Sequence, residues 1–136
     1  IYRYVIFNRI SNPSLEKERG WHIKKKLDLK LIKKGAKKLL GTNDFSTFRS
    51  SRCSAKSPIR TIKSIRIKEL QNKIEIKFQS RSYLQQQVRS MVGCLKYLGE
   101  KKWSLKKFEK IFKSKKRILC APPAPAHGLF LEKVIY

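Results

Sequence analysis

Ile62-Lys63-Ser64-Ile65-Arg66-Ile67 and Ile74-Glu75-Ile76-Lys77-Phe78 alternate apolar and polar side chains on either side of Gln71-Asn72. A period of two sends every second side chain to one face, so each run predicts a strand with one dry and one wet face. The short polar break between them predicts a β-hairpin. An antiparallel sheet is therefore the frame into which the rest of the chain must fit.

Upstream, residues 42–61 carry no clean period and read as a long irregular segment, a length that in compact domains usually serves function. Before it, Leu29, Ile32, Ala36, Leu39 and Leu40 recur at helical spacing within residues 27–40, with Lys30, Lys33, Lys34, Lys37 and Lys38 on the other side and Gly41 as a stop. This predicts an amphipathic helix with a basic outer face. Residues 2–8 are aromatic and β-branched and predict a strand, followed by a polar loop punctuated by Asn12-Pro13 and Gly20.

Downstream, Leu84, Val88, Met91, Val92, Leu95 and Leu98 form a second helical stripe, and Ser104 is placed to cap a third helix carrying Leu105, Phe108, Ile111 and Phe112. After the stiff connector Ala121-Pro122-Pro123-Ala124-Pro125, residues 128–136 alternate again and predict a last strand. Strand, helix, two strands, helix pair and strand give an α+β class with a ferredoxin-like antiparallel sheet, helices on one face and the other face open to a partner.

The chain has 136 residues, enough for one domain with a real core. Its 34 Lys and Arg against 9 Asp and Glu give a formal net charge of +25. Charge of that size points to a polyanion, although a composition rich in Lys and Ile also produces many merely solvated lysines. No apolar run approaches the roughly 20 residues of a spanning helix and no signal-peptide pattern opens the chain, so nucleic acid is favoured over membrane and a cytoplasmic location is expected. Since Ile1 opens in the middle of a strand-like run without an initiator Met, a preceding segment is expected.

Cys53, Cys94 and Cys120 are odd in number and widely spaced, which predicts reduced thiols rather than a disulfide framework or a zinc pair. There is no phosphate-cradling glycine loop or CxxC, and His22 and His127 are isolated, so no metal and no cofactor are expected. The only aspartates are Asp28 and Asp44. Asp28 sits where a carboxylate would cap the first helix. Asp44 lies in Asp44-Phe45-Ser46-Thr47-Phe48-Arg49, where an ion pair with Arg49 or Arg60 would order the loop and aim Phe45 and Phe48 inward; a catalytic role is the other reading. Arg89 falls at the edge of the second stripe, about 60° from Val92 by helix geometry, where it either snorkels or seeks a carboxylate.

Four segments in order, Tyr2-Arg3-Tyr4, Asp44 to Arg49, Val88-Arg89-Ser90-Met91-Val92-Gly93 and Ala126-His127-Gly128-Leu129-Phe130-Leu131, resemble the tRNA pseudouridine synthase A family. Ser57-Pro58-Ile59-Arg60 and Lys102-Trp103-Ser104 lie between them and fit as well. The resemblance implies the C-terminal half of a cofactor-free isomerase that converts uridine to pseudouridine in the anticodon arm of tRNA, and a homodimer for the whole protein. It implies that Tyr2 stacks on the target base, that Arg89 pairs with the nucleophilic aspartate and that Leu129 lines the pocket. The family's aspartate lies in a Gly-Arg-Thr-Asp motif of its N-terminal half, which this sequence does not contain, so the chain alone is expected to be inactive. Gln86-Gln87 stand where the family often has His-His, and Phe130 where it has Tyr.

With tRNA as partner, Lys30, Lys33, Lys34 and Lys37 of the first helix, together with Asp44, Phe45, Phe48, Arg49, Arg52 and Arg60 of the irregular segment, are the expected RNA-binding set. The alternatives are a non-catalytic RNA-binding module or degenerate paralogue, and a small basic protein of a ribonucleoprotein particle.

Overall fold

A computed structural model describes residues 1–8, 19–50, 53, 55–71 and 73–132. The strands are β1 (Tyr2–Asn8), β2 (Trp21–Ile23), β3 (Gly41–Asp44), β4 (Ile59–Leu70), β5 (Lys73–Ser80) and β6 (Leu129–Leu131); the helices are α1 (Leu29–Lys38), α2 (Gln87–Gly99) and α3 (Leu105–Ser114). Among the described residues no helix is long and apolar enough to cross a membrane.

The hairpin is the centre of the sheet. β4 and β5 pair antiparallel, β5 pairs antiparallel with β1, and β1 with β6. The order β6-β1-β5-β4 is the ferredoxin-like arrangement, extended at one edge by β3 against β4 and at the other by a short parallel pairing of β2 with Ile6–Asn8 of β1. Two strands were not legible in the sequence. β3 falls in the segment read as irregular, because Gly41-Thr42-Asn43-Asp44 has no apolar alternation and takes its shape from pairing with residues 59–62. β2 follows Gly20 in the segment read as a polar loop and is only three residues long. The expected loop at Asn12-Pro13 and the end of the last strand beyond Glu132 lie outside the described residues.

One face of β1 and β5 sends Tyr4, Ile6, Ile74, Ile76 and Phe78 into a core shared with Ile32 and Leu39 of the α1 segment, Met91, Val92, Leu95 and Leu98 of α2, and Phe108 of α3. Full burial of each such side chain contributes about 1.5–3 kcal/mol. The helices start where the sequence places their caps: Asp28 accepts from the Leu31 N–H at 3.2 Å, and Ser104 from the Lys107 N–H at 3.1 Å. The opposite sheet face is less open than expected. Lys77, Arg66 and Lys68 are exposed, but Val5 and Phe7 are buried, with Gly20 lying directly on Phe7. A methyl group on Gly20 would come within 2.6 Å of that ring.

Candidate active-site pocket

The first turn of α2 and the start of β1 meet at a pocket of about 410 Å³ lined by Tyr2, Tyr83, Leu84, residues 85–88, Arg89 and Leu129. Tyr2, Arg89 and Leu129, drawn from three distant parts of the sequence, are thus brought together. Topology explains it: β1 pairs with β6 through Tyr2↔Leu131 and Tyr4↔Leu129, while α2 packs across the same strands.

Arg89 is half-buried and fixed from behind. Its Nε–H donates to the Ala124 carbonyl at 2.7 Å, and the Ala124 N–H donates back to the Arg89 carbonyl at 2.9 Å. The proline-rich connector is therefore a strap along α2, in contact so close that a Cβ on Gly93 would lie 2.2 Å from the Pro122 oxygen. Among the described residues no carboxylate pairs with Arg89, and none lines the pocket. The strap is itself pinned by Tyr4, which is fully buried and donates its hydroxyl to the Pro125 carbonyl at 2.6 Å. Burial pushes the Tyr4 phenol well above its ordinary range, with the Arg89 charge pulling weakly the other way. Gly128 leaves the room this requires, since a Cβ there would sit 2.7 Å from the Tyr4 ring.

Tyr83 is the second wall. Its ring meets that of Tyr2 edge to face at 5.1 Å, and its hydroxyl donates to the Phe78 carbonyl at 2.9 Å. Burial, then repulsion from Tyr2, raises its pKa well above the tyrosine norm. Gln87 turns back to accept from the Leu84 N–H at 2.8 Å, closing the loop that leads into α2, while Gln86 holds a left-handed backbone at φ 64°. Sequence reading assigned no role to Tyr4 or Tyr83 and read the strap only as a stiff connector. The available signal was Tyr4's position two residues from Tyr2 on the same face of one strand.

The expected RNA-binding residues do not form one surface. Lys30, Lys33, Lys34 and Lys37 are exposed on α1. That helix starts beside Gly99, where the Asp28 N–H donates to the Gly99 carbonyl at 2.9 Å, so most of the length of α2 separates its first turn from Arg89. Phe45 and Phe48 turn inward as the loop reading expected, and their place in the RNA-binding set is corrected: both rings are buried, Phe45 stacked on Phe112 and Phe48 tilted against both, and they make no surface for RNA. Asp44 does order its loop, but with partners other than those expected. It accepts from the Ser46 N–H at 2.9 Å and from the Ser46 hydroxyl at 2.5 Å, and pairs with Lys115 at 3.9 Å. Burial pushes its carboxyl up, but the two hydrogen bonds from Ser46, with Lys115 and Arg49, together outweigh that and hold it below the usual range.

Arg49 turns to the carbonyls of Cys53 and Ala55, at 3.2 and 2.8 Å, and Arg52 lies outside the described residues. Arg60, bonded to the carbonyls of Ser57 and Ile59, lines a groove of about 650 Å³ with Lys63 and Arg81, two cations that sequence reading did not single out. The loop from Arg81 to Gln86 runs from this groove to the pocket.

The family described as tRNA pseudouridine synthase matches residues 36–136. The chain is 75% identical over 136 residues to the tRNA pseudouridine synthase A of Pelagibacter ubique, covering all of this chain and 55% of that protein. It is 42% identical to the protein of that name from Xanthobacter autotrophicus and 40% identical to that from Caulobacter vibrioides, in each case over 135 residues, 99% of this chain and 55% of the relative. The chain thus spans about half the length of the curated relatives it matches.

Proposed function

Because the chain belongs to the tRNA pseudouridine synthase family, we propose that its pocket is one wall of an active site that isomerises uridine in tRNA to pseudouridine, the other wall coming from a segment outside this sequence. In that reaction the bond from the ribose to the base nitrogen breaks, the base rotates, and a carbon of the same base rejoins the sugar. No atom is gained or lost, so the work falls on holding a base outside its stack and on a nucleophile.

The convergence of Tyr2, Arg89 and Leu129 on one pocket carries the reading. Tyr2, braced edge-on by Tyr83, offers an aromatic platform for an extruded base, and Leu129 an apolar wall. Arg89 presents a guanidinium whose Nε is already committed to Ala124, leaving its terminal amino groups to orient an ionised carboxylate. That carboxylate is supplied from elsewhere in the complete protein. Asp28 caps α1 and Asp44 caps the turn at Ser46, and neither lines the pocket. The groove of Arg60, Lys63 and Arg81 receives backbone phosphates of the same tRNA.

The test is release of tritium from tRNA carrying tritiated uridine, with the chain supplied with the N-terminal part of the Pelagibacter ubique relative. Release that disappears with Arg89→Ala is expected. Tight tRNA binding with no release under any such pairing would favour the second reading, a module that binds RNA without modifying it.

A further inference from the structure

The three thiols are scattered in sequence, yet the fold sets two of them side by side. Cys94, fully buried on the strap side of α2, has its Sγ 3.5 Å from that of Cys120, which is half-buried just ahead of the strap. A disulfide needs about 2.05 Å, so the sulfurs have roughly 1.5 Å to close. The surroundings favour reaction at Cys120. Arg117 reaches its sulfur at 4.0 Å while donating to the Ser90 hydroxyl at 2.7 Å, which places a fixed cation beside the more accessible thiol. The hydrogen bond from Cys94 lowers the Cys120 pKa, against partial burial and with help from Arg117, while the same bond and burial raise that of Cys94. Cys53, half-buried after the turn at Ser46, has no second sulfur beside it among the described residues.

We propose that Cys94 and Cys120 are a peroxide-responsive modification site, closing to an intramolecular disulfide that ties α2 to the strap holding Arg89. The Cys120 thiolate attacks one oxygen of a hydroperoxide. The S–O bond forms as the O–O bond breaks, and with hydrogen peroxide the departing hydroxide takes up a proton to leave as water. The Cys94 sulfur then attacks the resulting sulfenic acid; the S–S bond forms, the S–O bond breaks, and the leaving hydroxide takes the Cys94 proton as a second water. Two thiols are oxidised by two electrons and one peroxide is reduced. A dithiol reverses the change.

The test uses the full chain bearing Cys53→Ser, treated with equimolar hydrogen peroxide, alkylated and digested with trypsin without reduction. The expected product is a cross-link of peptides 90–96 and 118–133, two hydrogens lighter than their sum and removed by dithiothreitol. It should form at least about tenfold faster in buffer than in denaturing guanidinium, because only the fold adjoins the sulfurs. Equal rates in the two solvents, disulfides between chains, or Cys120 driven to sulfinic acid with Cys94 still free would each overturn the proposal.

Discussion

Arg89 on α2 donates to a carbonyl 35 residues away and faces a pocket, whereas Lys30, Lys33, Lys34 and Lys37 on α1 stand exposed, with no ion pair among the described residues. Both are cations on helices of the same layer. The first is held in one direction by the strap, by Tyr4 behind the strap and by Gly128 beneath Tyr4; the others supply only charge, free to follow a phosphate wherever it lies. A directed cation can orient a carboxylate, and a loose row of lysines can raise affinity without choosing a geometry.

The comparison breaks most directly at Arg89. Arg89→Ala in the completed enzyme is expected to cut kcat by on the order of a hundredfold or more with a smaller change in KM. Arg89→Lys should fare little better, because an ammonium cannot bond the Ala124 carbonyl and a carboxylate with the same fixed fork; steady-state tritium release checks both. Next comes the backing. Gly128→Ala drives a methyl group into the Tyr4 ring and should cost about 1–3 kcal/mol, read as a lowered urea midpoint, and recovery by adding Tyr4→Phe would not be expected, since most of the clash is with the ring.

The loose cations are tested by salt. Each cation that contacts a phosphate should contribute about 0.7–0.9 to the slope of log affinity against log salt, so Arg60→Gln with Arg81→Gln should flatten the slope of tRNA binding more than any two substitutions among the α1 lysines. Equal flattening from Lys33→Gln with Lys37→Gln would show that RNA reaches α1 and would sharpen where the tRNA lies. The smallest effect belongs to Asp44. Its folded pKa is lowered, so its contribution to stability is present above the unfolded value of 3.8 and is lost as the pH falls through the folded one. Asp44→Asn should therefore flatten the acid limb of a stability–pH curve and leave neutral tRNA binding nearly unchanged.

What was legible in the sequence was whatever repeats or caps. The hairpin, the helices over α1, α2 and α3, and the caps at Asp28 and Ser104 follow from period and position. β3 was not, since its residues carry no pattern of their own and acquire extended structure from their neighbour. Nor could periodicity find the site: the meeting of Tyr2, Arg89 and Leu129 depends on strand order, and only the ordered motifs hinted at it. Phe45 and Phe48 show the opposite error. They read both as turned inward by the Asp44 loop and as part of the RNA-binding set; the inward reading holds, because Phe112 completes an aromatic cluster in the core.

β1 divides one of its edges between two neighbours, β6 along Tyr2–Tyr4 and β2 along Ile6–Asn8. Its upper portion is satisfied by chain that follows closely in sequence, while the portion bearing Tyr2 waits for residues far along it; Tyr4 and its acceptor Pro125 are 121 positions apart. Closing so long a loop is slow, so during synthesis the hairpin and helices can settle while that short stretch of backbone remains unpaired. The Tyr2 end of the pocket then assembles after the hairpin, and a slow refolding phase that follows Tyr2 and Tyr83 fluorescence, but not helix signal, is its kinetic signature.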